Sequence, residues 1–95
     1  MGMRRRRGDE MPEIIRFFCI IIRMFIRDHG PPHFHAFYQD YQISVDIENG
    51  GITGNFPPRA LGFVQEWRAL HRQELLEIWS KAQTTGQFGK ILPLE

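Results

Sequence analysis

The hydrophobic pattern of this chain changes period at Pro57-Pro58, and that switch restricts the fold more than any other feature. Ahead of it, apolar residues alternate with polar ones, as in Tyr41, Ile43, Val45 and Ile47 against Gln42, Ser44, Asp46 and Glu48. An alternation of two is the signature of a strand with one buried face. Behind it, Ala60, Val64, Trp67, His71, Leu75, Ile78 and Ala82 recur at helical spacing, with Phe63 and Leu70 at the edge of the stripe. Gln65, Arg68, Arg72, Gln73 and Lys81 fill the opposite side, as a solvated face requires. The pattern predicts one helix from about Pro58 to Gln83, opened by a proline that the first turn tolerates and stopped by Gly86. Phe88 to Leu94 is expected to lie back across the core.

Within the sheet region, Ile14 to Asp28 is β-branched and aromatic with no helix breaker, which predicts one long strand or two joined by a bulge near Phe18-Cys19. Alternation puts Ile20, Ile22, Met24 and Ile26 on an oily face. Ile21, Arg23, Phe25, Arg27 and His29 then share the other. Gly30-Pro31-Pro32 turns the chain, because neither proline donates to a ladder. From His33 a second strand sets Phe34, Ala36 and Tyr38 against His33, His35 and Phe37. Glu48-Asn49-Gly50-Gly51 is a hairpin signal, since Asn and Gly tolerate positive φ, and Ile52 to Phe56 should pair back. The expected architecture is α+β, an antiparallel sheet of about four strands with one long C-terminal helix packed on one face.

A chain of 95 residues builds one core. The domain is expected over residues 11–95, after a charged, disordered extension over residues 1–10. Of the formal net charge of +1, Arg4 to Arg7 against Asp9 and Glu10 place +2 in that extension, which leaves −1 for the rest. No global positive field draws nucleic acid to the domain, so such binding would need a local patch. Cys19 is the sole cysteine, which excludes an internal disulfide and a thiolate zinc site. Arg16 and Arg23 interrupt the apolar run from Ile14 to Ile26, which falls short of the ~18–20 residues of a membrane helix. The acidic residues Asp9, Glu10 and Glu13 spoil any likeness to a signal peptide. These features predict a soluble, cytoplasmic protein.

Asp28-His29-Gly30-Pro31-Pro32-His33-Phe34-His35-Ala36 holds three of the four histidines. Imidazoles bind metals and transfer protons near neutral pH, so the motif marks a candidate site on the sheet face away from the helix. Three chemistries fit the residue types. A divalent ion such as zinc, nickel or manganese could take His33 and His35 with Asp28, His29, Asp46 or Glu48. RNA cleavage could use His33 and His35 in proton transfer, with Arg23 and Arg27 on phosphate. In a structural role, the imidazoles are satisfied by hydrogen bonds and the face is a protein interface. His71, on the helix stripe, is expected to face the oily side, apart from the other three. Trp67 and Trp79 are expected to serve packing.

Met11-Pro12-Glu13-Ile14-Ile15-Arg16-Phe17, Ile22-Arg23-Met24, the histidine motif, Glu66-Trp67, His71-Arg72-Gln73-Glu74-Leu75 and Ile91-Leu92-Pro93-Leu94 resemble the small bacterial domain-of-unknown-function family 4160. The resemblance covers Met11 to Glu95, and Pro31-Pro32-His33-Phe34-His35-Ala36 is its most specific part. Many members carry asparagine where this chain has Gly30, a substitution that a positive-φ turn accepts. The resemblance implies a gene pair of toxin–antitoxin type, hence a cognate small protein as partner. It implies no particular catalytic residue. The combined expectation is a toxin–antitoxin-like component centred on His29, His33 and His35, with RNA as target if it is the toxin. The alternative is a non-enzymatic metal-binding or interaction module. Its sheet edges also suit a homodimer.

Overall fold

The computed structural model describes residues 13–25 and 30–85. Expectations for the Arg-rich extension, for Ile26, Arg27, Asp28 and His29, and for Gly86 and the tail after it lie outside these residues. Five strands form one antiparallel sheet: β1 (Glu13–Phe17), β2 (Ile20–Arg23), β3 (His33–Tyr38), β4 (Tyr41–Asp46) and β5 (Ile52–Asn55). They lie side by side in chain order. Two helices follow, α1 (Pro58–Leu70) and α2 (Arg72–Thr84). The α+β class and the antiparallel sheet are as expected, while strand number and helix number each differ by one.

The extra strand arises at Phe18-Cys19. Phe17 pairs with Ile20, so these two residues form a tight turn and fold the run back on itself rather than bulging it. Both have positive φ, 49° and 63°, as a type I′ hairpin turn demands, yet neither is the Asn or Gly that usually signals it. The bulge lies instead between Glu13 and Ile15, where the register shifts. One extra residue lets Ile14 and Phe17 both be buried, which strict alternation forbids.

Elsewhere the alternation holds. Ile20, Ile22, Met24, Phe34, Ala36, Ile43, Val45 and Ile47 are all buried on one side of the sheet. Trp67 of α1 is fully buried against them, 5.6 Å from the Phe17 ring and 5.7 Å from Phe34 in an edge-on contact. Ala60 and Val64 of α1 and Leu75, Ile78, Trp79 and Ala82 of α2 complete this core. Leu70, placed at the stripe's edge, is 65% exposed.

The single long helix is divided at His71, whose φ of −115° and ψ of 21° leave the helical region. Neither proline nor glycine marks the break. On both sides of it the helices are tied to the loop between β4 and β5: Arg68 Nη1 donates to the Ile47 carbonyl (2.9 Å) and Arg72 Nε to that of Glu48 (3.1 Å). Gln65 Nε2 adds a bond to the Gly50 carbonyl (2.7 Å). At its far end α2 reaches the end of β2, where Gln83 Nε2 donates to the Phe25 carbonyl (3.2 Å). The break therefore lets α2 pass along the end of the sheet instead of continuing across its face.

The loop itself is a hairpin with Gly50 at φ 80°. Asp46 N–H donates to the Gly51 carbonyl (2.8 Å) and Gly50 N–H to that of Asp46 (2.9 Å). That φ favours glycine, and a side chain there would also displace the ends of the Gln65 and Arg68 side chains, which lie about 3.0 Å from where its Cβ would be.

Candidate functional site

The prolines of the motif act through their carbonyls. Pro32 C=O accepts the Ile47 amide (3.0 Å), extending the β3–β4 ladder, and Pro31 C=O lies 2.9 Å from His33 Nδ1. A carbonyl only accepts, so Nδ1 carries the proton in this contact and Nε2 is the basic nitrogen of the neutral ring. Gly30, with φ 91°, makes the preceding turn.

His33 and His35 share the sheet face opposite α1, with ring centres 5.2 Å apart and planes at 77°. Strand parity is thus borne out at these two positions. Their surroundings differ. His35 is edge-on to Phe25 at 5.0 Å, and both of its ring nitrogens are screened from solvent. His33 is half-buried, lies 5.1 Å from the Trp79 ring of α2, and lines a cleft of about 260 Å³ with Pro31, Ser44, Asp46, Gly51 and Thr53. The pairings His33 with Asp46 and Ser44 with Thr53 bring these side chains to one spot.

Asp46 is partly committed to folding. Its Oδ1 accepts the amides of Glu48 (2.9 Å) and Asn49 (3.0 Å), which anchors the hairpin loop. Glu48 does not follow the alternation assigned to it, because β4 ends at Asp46 and Glu48 sits exposed in the loop. Arg23 is opposite His35 on β2, two strands away from the β4 wall of the cleft. At a strand spacing of about 4.8 Å, that puts its backbone roughly 10 Å from Ser44. Arg27, Asp28 and His29 are outside the described residues. His71 is on the helix side, as expected, with its ring 5.6 Å from Trp67 and Nδ1 paired to Glu74 Oε1 (2.5 Å).

Among the described residues, no three His, Cys, Asp or Glu side chains come together as a metal-holding group. His33 and Asp46 offer two donors, where protein-held zinc takes three or four. Nor, among the described residues, is any helix long and apolar enough to cross a membrane. Two contributors were missed from sequence: Thr53 and the Trp79 ring against His33. Trp79 carries a usable signal, since it stands four residues after Leu75 and shares its buried face.

Chemically, the cleft is rich in acceptors. Among the described residues, its lining holds a carboxylate, two hydroxyls and an imidazole, and no lysine or arginine. Such a lining suits a donor-bearing cation and repels a phosphate.

No curated protein and no solved structure matches the chain. A family model does match, over residues 19–80, from the β1–β2 turn to within α2, which takes in the cleft and the histidine motif but neither Met11–Phe17 nor Ile91–Leu94. By that match the chain belongs to DUF4160, a domain of unknown function.

Proposed function

We propose that this chain is the partner-binding member of a two-protein module of toxin–antitoxin type, and that its cognate small protein seats a lysine or arginine side chain in the His33 cleft. The observation that carries this reading is the acceptor-rich lining of the cleft, which among the described residues includes no cation. A guanidinium or ammonium group there meets Asp46, Ser44, Thr53 and the His33 ring together. Two features weigh for binding over RNA cleavage. The screened nitrogens of His35 are poorly placed to protonate a leaving oxygen, and the Asp46 carboxylate opposes a phosphate beside His33.

The test is co-purification with the product of the neighbouring gene. Asp46→Asn keeps the Oδ1 acceptor that anchors the hairpin loop and removes the charge, and His33→Ala removes one wall. Each variant is expected to weaken the complex by about 10- to 100-fold, the equivalent of roughly 1.4–2.7 kcal/mol. Folded variants that bind as tightly as the parent would sink the proposal. Near-stoichiometric metal in the purified chain, lost on His33→Ala/His35→Ala, would replace it with the metal-binding reading. Growth arrest that needs both histidines in a metal-free chain would replace it with the RNA reading.

A further inference from the structure

The two edges of the sheet are built differently. β1 is guarded: it carries the register shift at Glu13–Ile15 and an exposed ion pair between Arg16 and Glu13 (2.9 Å). Bulges and charges are the usual means of stopping an edge from pairing with another chain. β5 has neither. Its sequence Ile52-Thr53-Gly54-Asn55 is uncharged, its register with β4 is continuous, and all four residues are exposed.

Ladder alternation says which backbone groups of β5 are available. Asp46 bonds Gly51, so Thr53 and Asn55 bond β4 in turn, while the N–H and C=O of Ile52 and Gly54 point outward. Ile52 and Gly54 also share the sheet side of their partners Val45 and Ile43, the side of the core. Ile52 is nevertheless 40% exposed.

We infer that β5 pairs antiparallel with β5 of a second copy, about a two-fold axis at Thr53. In that register Ile52 faces Gly54 of the other copy, and the two exchange both of their outward hydrogen bonds. The side chain that is too exposed meets the residue that has none. Gly54 is fixed as glycine by its own strand, since its φ is 112° and a Cβ would lie 2.7 Å from the Gln42 carbonyl. The edge therefore always offers this gap. Thr53 meets its own copy across the axis on the opposite side, a threonine pair of the kind that stabilises antiparallel sheets. Because Thr53 lines the His33 cleft, the two clefts of the dimer join at the axis into one acceptor-rich trough.

The experiment uses the full chain alone, so its result is independent of whether the cognate protein binds. Native mass spectrometry is expected to give twice the chain mass of 11.2 kDa. Thr53→Cys, made in a Cys19→Ser background to remove the exposed native thiol, is expected to oxidise to a disulfide-linked dimer. A non-hydrogen-bonded pair of this kind sets Cα atoms about 4.5 Å apart, within disulfide reach. Ile52→Pro deletes an outward donor and the side chain that meets Gly54 while leaving the bonds to β4 in place, and is expected to weaken the dimer at least about tenfold, one hydrogen bond being lost from each copy. A monomeric mass at high micromolar concentration, or failure of the Thr53→Cys variant to cross-link, overturns the proposal. Should Ile52→Pro not fold, those two readouts decide it alone.

Discussion

Phe18 and Cys19 hold positive φ without the residues that hold it cheaply. For side chains bearing a Cβ the left-handed region costs roughly 1–2 kcal/mol per residue. Phe18 has a compensation in its ring, which lies 4.6 Å from Phe63 and 5.9 Å from Phe17. Cys19 is exposed. Cys19→Gly should therefore stabilise the fold by about 0.5 kcal/mol, the relief of strain less the added entropy of an unfolded glycine. Urea denaturation reads this directly, and a loss of stability would show that Cys19 is held by more than its backbone. Arg16 illustrates the opposite balance. The Glu13 carboxylate raises its pKa above the ordinary arginine value by hydrogen bond and by charge, yet with Arg16 on the surface the pair contributes little to stability.

At the scale of elements, the loop between β4 and β5 joins sheet to helices, and its two arginine tethers are unequal. The Arg68 bond to Ile47 is part-buried and the Arg72 bond to Glu48 is exposed. Arg68→Ala should cost about 1.5–3 kcal/mol, since it strands a partly screened carbonyl, and Arg72→Ala at most about 0.5 kcal/mol. Equal losses by thermal denaturation would contradict this division. The same region marks the boundary of what the sequence made legible. Strand faces from Ile20 to Val45 and the helix stripe followed from periodicity, because burial on one side selects apolar residues at fixed spacing, and the Asn49-Gly50 hairpin followed from residues that accept positive φ. The turn at Phe18-Cys19 and the break at His71 did not. Both lack their usual residues and are held by tertiary contacts, Phe63 in one case and the β4–β5 loop in the other. For the site, parity placed the rings of His33 and His35 together, but it could not show that one faces a cleft and the other is screened. That difference depends on α2 and on Phe25, which packing rather than pattern brings to the histidines.

For the whole molecule, Trp67 is the point at which sheet and helices meet. It is fully buried and touches both Phe17 and Phe34, residues of the first and third strands. Trp67→Ala should cost about 3–5 kcal/mol, a large share of the roughly 5–15 kcal/mol available to a small domain. Sheet and helix signals in circular dichroism should still melt together, because one core serves both; separate transitions would refute a single cooperative unit. The order of the strands has a further consequence. Each β-strand finds its neighbour immediately before or after it in the chain, so successive hairpins can zip up during synthesis with little loop to close. The two helices are made after the sheet. A nascent sheet of this kind is complete while its greasy surface still awaits cover, and the interval before α1 and α2 arrive is when this chain most needs a chaperone.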